Sequence, residues 1–376
     1  MNPTSQNPVK VCFIAPKAYP LFNPKIKQVF GGAEVDLYYL ATELAQDEKF
    51  EVSFIVADYG QPPVETVEKV TVIKSLDFAR NPFLGARRIW KALKQADADV
   101  HLIKTASPGV PLLAAFCRRF HKAFIYRTAH QDECDGTYMK KHFFLGRAFA
   151  RSLQRANMVL AQNEIDQHNL QRTLGVSALV IPNGHRLPDT PALNRDTIIW
   201  VGRTAAFKNP RLFLELAGKF PREKFIMICQ KATGDHRYDD LIRQAQNTAN
   251  LEFLPRVPFH EIGDYFRRAK VLVNTSDAEG FPNTFIQACI HGTPILSLNV
   301  NPDEFLTEYS CGLCCSGNPQ RLAESLDFLL TKDRYIELGK KGLKYVRQHH
   351  DIKKIIGRYK TIFASALAEA GPAVAG

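Results

Sequence analysis

Short apolar runs alternate with longer amphipathic segments from the start of the chain. The apolar runs are continuous, which is typical of strands that are buried on both faces. In the first half we predict strands at residues 9–15, 52–57, 70–73, 100–103, 123–126, 158–161 and 179–181. Helical patterns between them include 32–46, 82–95 and 143–156. This alternation predicts a parallel sheet with helices on both sides.

The pattern stops after residue 181 and then restarts. Pro182, Asn183 and Gly184, followed by Pro188 and Pro191, form a turn-rich segment that indicates a domain boundary. The second half has predicted strands at 197–201, 225–228, 251–253, 271–274 and 294–298, with helices at 210–220, 238–248, 261–268 and 285–292. We therefore predict an α/β chain with two doubly wound, Rossmann-like domains, residues 1–188 and 189–350. Residues 351–376 would add a C-terminal helix, which either completes the second domain or crosses back to the first, and a frayed tail.

We expect the ligand site in a cleft that the two domains face, because parallel sheets bind ligands beyond the carboxyl ends of their strands. The length of 376 residues also favours two domains, since one domain usually has about 100 to 200 residues. Hydrophobic residues make up 45% of the chain and charged residues 23%, which excludes a disordered protein.

The chain is basic, with 49 Lys and Arg against 38 Asp and Glu and a formal net charge of +11. This charge favours an anionic partner and is compatible with nucleic acid, a phosphorylated ligand or an acidic membrane surface. None of the usual aromatic and basic nucleic-acid recognition modules is found in the sequence. We therefore expect no nucleic-acid partner.

The eight cysteines are scattered along the chain, and we expect most of them to be reduced. The chain passes from a polar segment straight into a strand pattern, without the regions typical of a signal peptide. No apolar run reaches the roughly 18 to 20 residues that span a bilayer. We expect a cytoplasmic protein, with any membrane contact peripheral and on the inner face of the plasma membrane.

Two segments at strand ends carry candidate phosphate-binding residues. Gly31 and Gly32 lie between the first strand and a helix, where glycine lets the backbone approach a ligand and the helix start offers amide N–H groups. Arg203 ends a strand and Lys208 lies in the following loop, so two cations could stabilise a departing diphosphate. A flexible loop in the first case and a solvated turn in the second are the alternatives.

The segment 274–294 places an acid, a glycine turn and a helix start directly after a buried strand. Glu279 and the amides of residues 280–284 are therefore expected at the ligand-binding edge, and the Gln287 amide could reach a ribose hydroxyl. The ordered set GGAE, IPNG, GR with KNP, EGFPNTF and HGTP covers nearly the whole chain. With these motifs the sequence resembles glycosyltransferase family 4, whose members are retaining enzymes of the GT-B fold.

The resemblance implies a role for each matched position of the second domain. Arg203 and Lys208 would hold the diphosphate of the donor, and Glu279 would face the transferred sugar. The loop that follows would offer backbone donors to sugar and phosphate, and it consists of Gly280, Phe281, Pro282, Asn283 and Thr284. Gln287 stands at the second acid of the family pattern, as in a subgroup whose EGFPNTF segment is followed by Gln. A neutral amide can hydrogen-bond ribose but carries no charge.

In the first domain, Gly31 and Gly32 would close on the donor phosphates. His130 matches a histidine that lies beside the donor sugar in several members, and a satisfied structural histidine is the alternative. Pro255 stands where relatives usually carry a glycine, so the pocket around the nucleotide base is expected to differ in shape.

By resemblance the chain is a hexosyltransferase that moves a sugar from a nucleotide diphosphate sugar, with retention at the anomeric carbon. The first domain would serve a lipid-linked or saccharide acceptor in polysaccharide or glycoconjugate assembly, and the second would bind the donor. No cofactor and no obligatory metal are expected, because cationic side chains replace the metal. A nucleotide sugar epimerase or phosphorylase-like enzyme on this fold, and a basic nucleic-acid-binding protein, are the alternatives.

Basic and aromatic residues gather in two helices of the first domain, where they could contact an anionic membrane. They are Arg80, Phe83, Arg87, Arg88, Trp90, Lys91 and Lys94, then Lys140, Lys141, His142, Phe143, Phe144, Arg147, Arg151 and Arg155. A solvated positive face is equally compatible with this composition. Asp97 and Asp99 have the spacing of a metal-binding pair, but they lie at a helix end and we expect no metal there.

Overall fold

The computed structural model describes residues 7–187, 194–232 and 234–371. These residues form two compact units. One contains the residues up to Arg186 together with those from Ile352 on, and the other runs from Leu187 to Asp351. Pro188 and Pro191 of the predicted boundary, and residues 372–376 of the predicted tail, lie outside the described residues.

The first unit is built on an eight-stranded sheet. Its strands are β1 Val9–Ile14, β2 Phe50–Val56, β3 Val64–Val67, β4 Val70–Lys74, β5 Val100–Lys104, β6 Ala123–Arg127, β7 Met158–Ala161 and β8 Leu179–Val180. They lie in the order β3-β4-β2-β1-β5-β6-β7-β8. All neighbours are parallel except β3 and β4, which form an antiparallel edge.

The second unit is built on a six-stranded, fully parallel sheet. Its strands are β9 Thr197–Arg203, β10 Lys224–Gln230, β11 Leu251–Leu254, β12 Ala269–Asn274, β13 Ile295–Ser297 and β14 Gly312–Cys314. Their order is β11-β10-β9-β12-β13-β14. The two central strands, β9 and β12, are therefore the first and fourth strands of this unit in chain order. The order reverses between β9 and β12, and such a switch point is where doubly wound sheets bind ligands.

Helices connect the strands and cover both sides of each sheet. They are α1 Tyr19–Phe22, α2 Gly32–Leu44, α3 Pro82–Ala96, α4 Gly109–Phe120, α5 Thr137–Lys141, α6 Phe143–Leu153, α7 Glu164–Leu174, α8 Pro210–Lys219, α9 Tyr238–Gln246, α10 Ile262–Arg268, α11 Asn283–Ile290, α12 Phe305–Glu308, α13 Gln320–Leu330, α14 Arg334–His349 and α15 Ile352–Ala370. Short 3-10 turns occupy Pro16–Ala18, Gln131–Glu133, Ala206–Lys208, Pro302–Glu304 and Thr331–Asp333. None of these helices, within the described residues, is long and apolar enough to cross a bilayer.

Apolar layers on the two sides of each sheet form the cores. In the first unit, α3, α4, α6 and α7 share one core, while α2 and α15 pack against each other and the strands. In the second unit, α8, α9 and α13 cover one side, and α10, α11 and α14 cover the other. The prediction of two doubly wound, Rossmann-like domains is therefore confirmed.

Close helix packing in the second unit depends on two glycines. Gly292 follows α11 with φ +64°, a left-handed conformation that favours glycine. A Cβ on Gly339 of α14 would overlap the carbonyl oxygen of Gly292. The HGTP segment therefore has a packing role, because it lets α14 approach the end of α11.

Candidate functional site

The loops that follow β9 and β12 are joined at the carboxyl edge of the second sheet. The hydroxyl of Thr275 donates to the carbonyl oxygen of Lys208 at 2.6 Å. The Asp277 amide donates to the carbonyl oxygen of Phe207 at 2.8 Å, and the Asn209 side chain donates to the Asp277 carboxylate at 2.6 Å. These bonds fix the loop that carries Lys208 against the loop that carries the predicted acid.

Glu279 and Lys208 form an ion pair in which the Lys208 Nζ lies 2.6 Å from Oε2 of Glu279. The side chains are only 16% and 14% exposed for Lys208 and Glu279 respectively. The other carboxylate oxygen accepts hydrogen bonds from Ser276 Oγ at 2.7 Å and Asn274 Nδ2 at 3.0 Å. Burial alone would raise the pKa of Glu279, but the charge and hydrogen bond of Lys208, with Ser276 and Asn274, lower it below its usual range. Glu279 is therefore a carboxylate at neutral pH.

The helix α11 begins directly after this acid. Gly280, Phe281 and Pro282 are buried, and Phe281 packs against Phe305 and His350 with ring centroids 5.0 and 5.1 Å apart. The Phe281 side chain therefore anchors the loop in the core. The first turn of any helix has amide N–H groups without partners inside the helix, and these attract anions.

Three further predicted residues lie on α11 itself. Asn283 and Thr284 form its first turn and are half-buried, and Gln287 is half-buried about one turn later. The sequence therefore places the predicted ribose contact on the same short helix as the predicted phosphate contacts. Their roles stay predictions.

Arg203 ends β9 and is exposed. Its backbone is in register with Gln230, and no ion pair of its guanidinium is found among the described parts of the chain. The structure thus joins Lys208 to Glu279 in an ion pair in which Arg203 takes no part. A role for Arg203 toward a diphosphate stays a prediction.

The predicted glycine loop of the first unit has an internal partner. The N–H of Gly31 donates to Oε2 of Glu34 at 2.7 Å, which caps the start of α2. A backbone amide that we expected to face an anion is therefore bonded to a carboxylate of its own helix. Gly32 is exposed as the first residue of α2.

His130 lies in the loop after β6 with its side chain 38% exposed. Its Nδ1 accepts a hydrogen bond from the Asp132 amide at 3.4 Å and lies 3.6 Å from the carboxylate of that residue. Asp132 is also paired with Lys141 at 2.8 Å. The histidine is thus held in a polar loop of the first unit.

Glu133, next to this loop, is a buried acid that the sequence reasoning missed. Its Oε2 accepts hydrogen bonds from the Ala129 amide and the Tyr126 hydroxyl, both at 2.8 Å, and its Oε1 accepts from the Ala106 amide at 3.0 Å. Burial raises the pKa of Glu133, and these hydrogen bonds oppose the rise. Glu133 joins the loops after β5 and β6 and so positions the backbone that carries His130.

A buried charge network of the first unit was also missed. Asp36 of α2 lies 2.8 Å from Nζ of Lys104 and 3.0 Å from Nε of Arg127, the last residues of β5 and β6. Asn183 Oδ1 accepts from Lys104 at 3.1 Å and from Arg127 at 2.6 Å, and Arg127 also donates to the Tyr359 hydroxyl of α15. One feature of the sequence could have indicated this network, namely the single cation that ends each of two apolar strands, Lys104 in β5 and Arg127 in β6.

The two aspartates with metal-like spacing are bound to lysines. Lys122 lies 3.6 Å from Asp97 and 3.5 Å from Asp99, and the Asp99 carboxylate also accepts from the Lys10 amide at 3.1 Å. No cluster of three or more metal-ligating side chains occurs within the described residues. All eight cysteines are free, and all but Cys314 are buried.

Two doubly wound domains in tandem are typical of the GT-B class of fold. A family model described as Glycosyltransferase Family 4 matches residues 30–187, and one described as Glycosyl transferases group 1 matches residues 188–349. The chain therefore belongs to the family 4, or group 1, glycosyltransferases. The resemblance seen in the sequence is confirmed.

Individual relatives are distant. An uncharacterized glycosyltransferase from Haemophilus influenzae is 23% identical over 219 residues, which cover 56% of this chain and 60% of the relative. A sucrose-phosphate synthase from Thermosynechococcus elongatus matches with a TM-score of 0.78 and 16% identity, over 97% of this chain and all of that one. Anabaena HepE, in a complex with UDP-glucose, matches with a TM-score of 0.70 and 15% identity, over 94% of this chain and 99% of that one. The structural likeness shows a shared fold.

Proposed function

We propose that the protein is a retaining glycosyltransferase of hexosyl type, which moves a sugar from a nucleotide diphosphate sugar to an acceptor without an obligatory divalent metal. The acceptor is a lipid-linked or saccharide chain in polysaccharide or glycoconjugate assembly. The second unit binds the donor, and the first unit serves the acceptor.

The observation that carries the proposal is the ion pair of Lys208 and Glu279 beside the start of α11. Both side chains are mostly buried, so their charges act in a medium less polar than bulk water. They lie at the switch point of the second sheet, where this class of fold places its ligands. Family membership and the fold shared with the UDP-glucose complex of HepE support the same site.

The chemistry follows from where charge develops. When the bond between sugar and diphosphate breaks, negative charge grows on the departing phosphate oxygens. The Lys208 ammonium stabilises that charge, Arg203 adds a second cation, and the amides at the start of α11 donate hydrogen bonds. Glu279 keeps Lys208 in place and accepts hydrogen bonds from hydroxyls of the transferred sugar. These cations supply the neutralisation that a divalent metal provides in other enzymes.

No protein base is assigned to the acceptor. In a same-face transfer, an oxygen of the departing diphosphate accepts the proton of the acceptor hydroxyl as the new glycosidic bond forms. The anomeric configuration of the donor is therefore retained in the product.

A donor screen followed by product analysis tests the proposal. The full chain is mixed with uridine, guanosine and adenosine diphosphate sugars, and the donor that raises the melting temperature most is chosen. That donor is then incubated with saccharide and lipid-linked acceptors, with and without EDTA. Expected products are a nucleoside diphosphate and a new glycoside of unchanged anomeric configuration by NMR, at equal rates in both conditions.

Three results would contradict the proposal. Conversion of the donor to a sugar isomer without transfer identifies an epimerase, and transfer that needs phosphate identifies a phosphorylase-like enzyme. Loss of activity in EDTA that returns with a divalent cation contradicts metal independence.

A further inference from the structure

Five large apolar side chains of the first unit are exposed to solvent near the first residues of α3 and α6. Phe83 on α3 is 86% exposed, and Phe144 on α6 is 84% exposed. The others are half exposed or more, and they are Phe78, Leu84 and Phe143. Single exposed apolar residues are ordinary on a protein surface, whereas a group of them marks an interaction surface. We call these five residues the apolar edge.

The topology places them at one edge of the molecule's first sheet. α3 connects β4 to β5, and α6, preceded by α5, belongs to the connection from β6 to β7. Each connection returns the chain from the carboxyl end of one parallel strand to the amino end of the next, so we place the starts of both helices toward the carboxyl ends of the strands. Both helices pack against α4 on the same side of the sheet. With roughly 10 Å between neighbouring helix axes, the two starts are about 20 Å apart.

The surroundings of the apolar edge are strongly cationic. The segments 77–94 and 137–155 contain ten Lys and Arg residues and a single carboxylate, Asp77. The net charge of these two segments is therefore +9, against +11 for the whole chain. The guanidinium carbon of Arg147 lies 3.9 Å from the centroid of the Phe143 ring, so a cation is in direct contact with an exposed apolar side chain.

We propose that the apolar edge inserts into an anionic phospholipid surface, with the surrounding cations on the lipid headgroups. Side chains exposed by more than four-fifths can enter a bilayer interface without any change in the fold. Apolar insertion and electrostatic attraction to anionic lipid add to each other, and a stable peripheral contact needs both. A merely solvated positive face would be expected to carry polar side chains at its most exposed positions.

Vesicle co-sedimentation of the full chain tests this proposal and requires no sugar transfer, so its result is independent of the proposed reaction. The native chain is expected to bind phosphatidylcholine vesicles that contain phosphatidylglycerol, and to bind pure phosphatidylcholine at least about tenfold more weakly. The double variant Phe83→Ser with Phe144→Ser should bind the anionic vesicles at least about tenfold more weakly than the native chain. Its melting temperature should match that of the native chain, because both side chains are exposed.

Two further variants separate the contributions. Arg87→Gln with Lys91→Gln removes two exposed cations of α3 and should weaken binding roughly thirtyfold. The matched control is Phe328→Ser with Ile336→Ser, which removes two exposed apolar side chains of the second unit and should leave vesicle binding unchanged.

The proposal is overturned if the native chain does not distinguish the two kinds of vesicle, or if the Phe83 and Phe144 variant binds like the native chain. Salt-dependent binding to an RNA or DNA oligonucleotide, without binding to vesicles, would overturn it in favour of a nucleic-acid surface.

Discussion

Asp36→Asn should destabilise the first unit strongly. Among the described residues, Asp36 is the only carboxylate that forms an ion pair with the buried cations Lys104 and Arg127. Its side chain and that of Arg127 have no exposed surface, and that of Lys104 is 2% exposed. Burial lowers the pKa of Lys104 from its ordinary 10.5 to about 8 even with Asp36 in contact. That shift corresponds to about 3 kcal/mol that burial already costs the charged form at neutral pH.

Replacing the carboxylate by an amide of the same size leaves both cations without a counterion. Breaking a buried pair in this way costs about 3 to 5 kcal/mol of unfolding free energy. The double variant Asp36→Asn with Lys104→Met removes a cation as well and should recover at least about half of that loss. Asp132→Asn, which breaks an exposed ion pair with Lys141 in the first unit, is the matched control and should cost less than about 1 kcal/mol.

Urea denaturation followed by tryptophan fluorescence measures this effect unit by unit. The chain has two tryptophans, and Trp90 lies in the first unit and Trp200 in the second. With Trp200→Phe in every variant, the remaining fluorescence reports on the first unit alone. A loss below about 1 kcal/mol for Asp36→Asn, or no recovery with Lys104→Met, would refute the assignment of this network as a charge-compensated core.

Two other predictions concern stability. His101 is fully buried, and burial, with the charge of Lys122, lowers its pKa to about 3. Because the unfolded chain binds a proton near pH 6.5 and the folded chain does not, stability should fall as the pH drops from 6.5 toward 3, by up to about 5 kcal/mol. His101→Leu should flatten that dependence in urea titrations at several pH values, and an unchanged slope would contradict the argument. Gly339→Ala should cost about 3 kcal/mol or more, because its Cβ would overlap the carbonyl oxygen of Gly292. Gly357→Ala, where a Cβ meets no atom within 4 Å, is the control, and equal stability of the two variants would contradict close packing at Gly339.

The apolar pattern predicted most of the fold because buried parallel strands appear as continuous apolar runs. It missed β3, whose residues VETV alternate between exposed and half-buried at a sheet edge, so no apolar run marks them. It also missed β14, which has only three residues. Short or edge strands depend on pairing with a neighbour, and a pattern along the chain does not contain that information.

Motif order and topology predicted that Lys208 and Glu279 lie at the same edge of a sheet. The structure joins them in one ion pair. The sequence did not predict the link that Glu133 makes to Ala106, 27 positions away, or the Asp36 network, whose partners include Lys104, 68 positions away. Such distant contacts are not visible in a pattern along the chain. Gly31 shows the reverse difficulty. A glycine at a helix start predicts an open amide, yet Glu34, three residues later, already accepts its hydrogen bond.

The most direct test of the central claim compares turnover of Lys208→Ala with that of Lys219→Ala, an exposed cation at the end of α8 in the same unit. With a nucleotide sugar and acceptor that the native chain uses, loss of the Lys208 ammonium should lower kcat about a hundredfold to a thousandfold. Lys219→Ala should turn over like the native chain. Near-native kcat for Lys208→Ala, in a variant that still melts as one folded protein, would contradict the account.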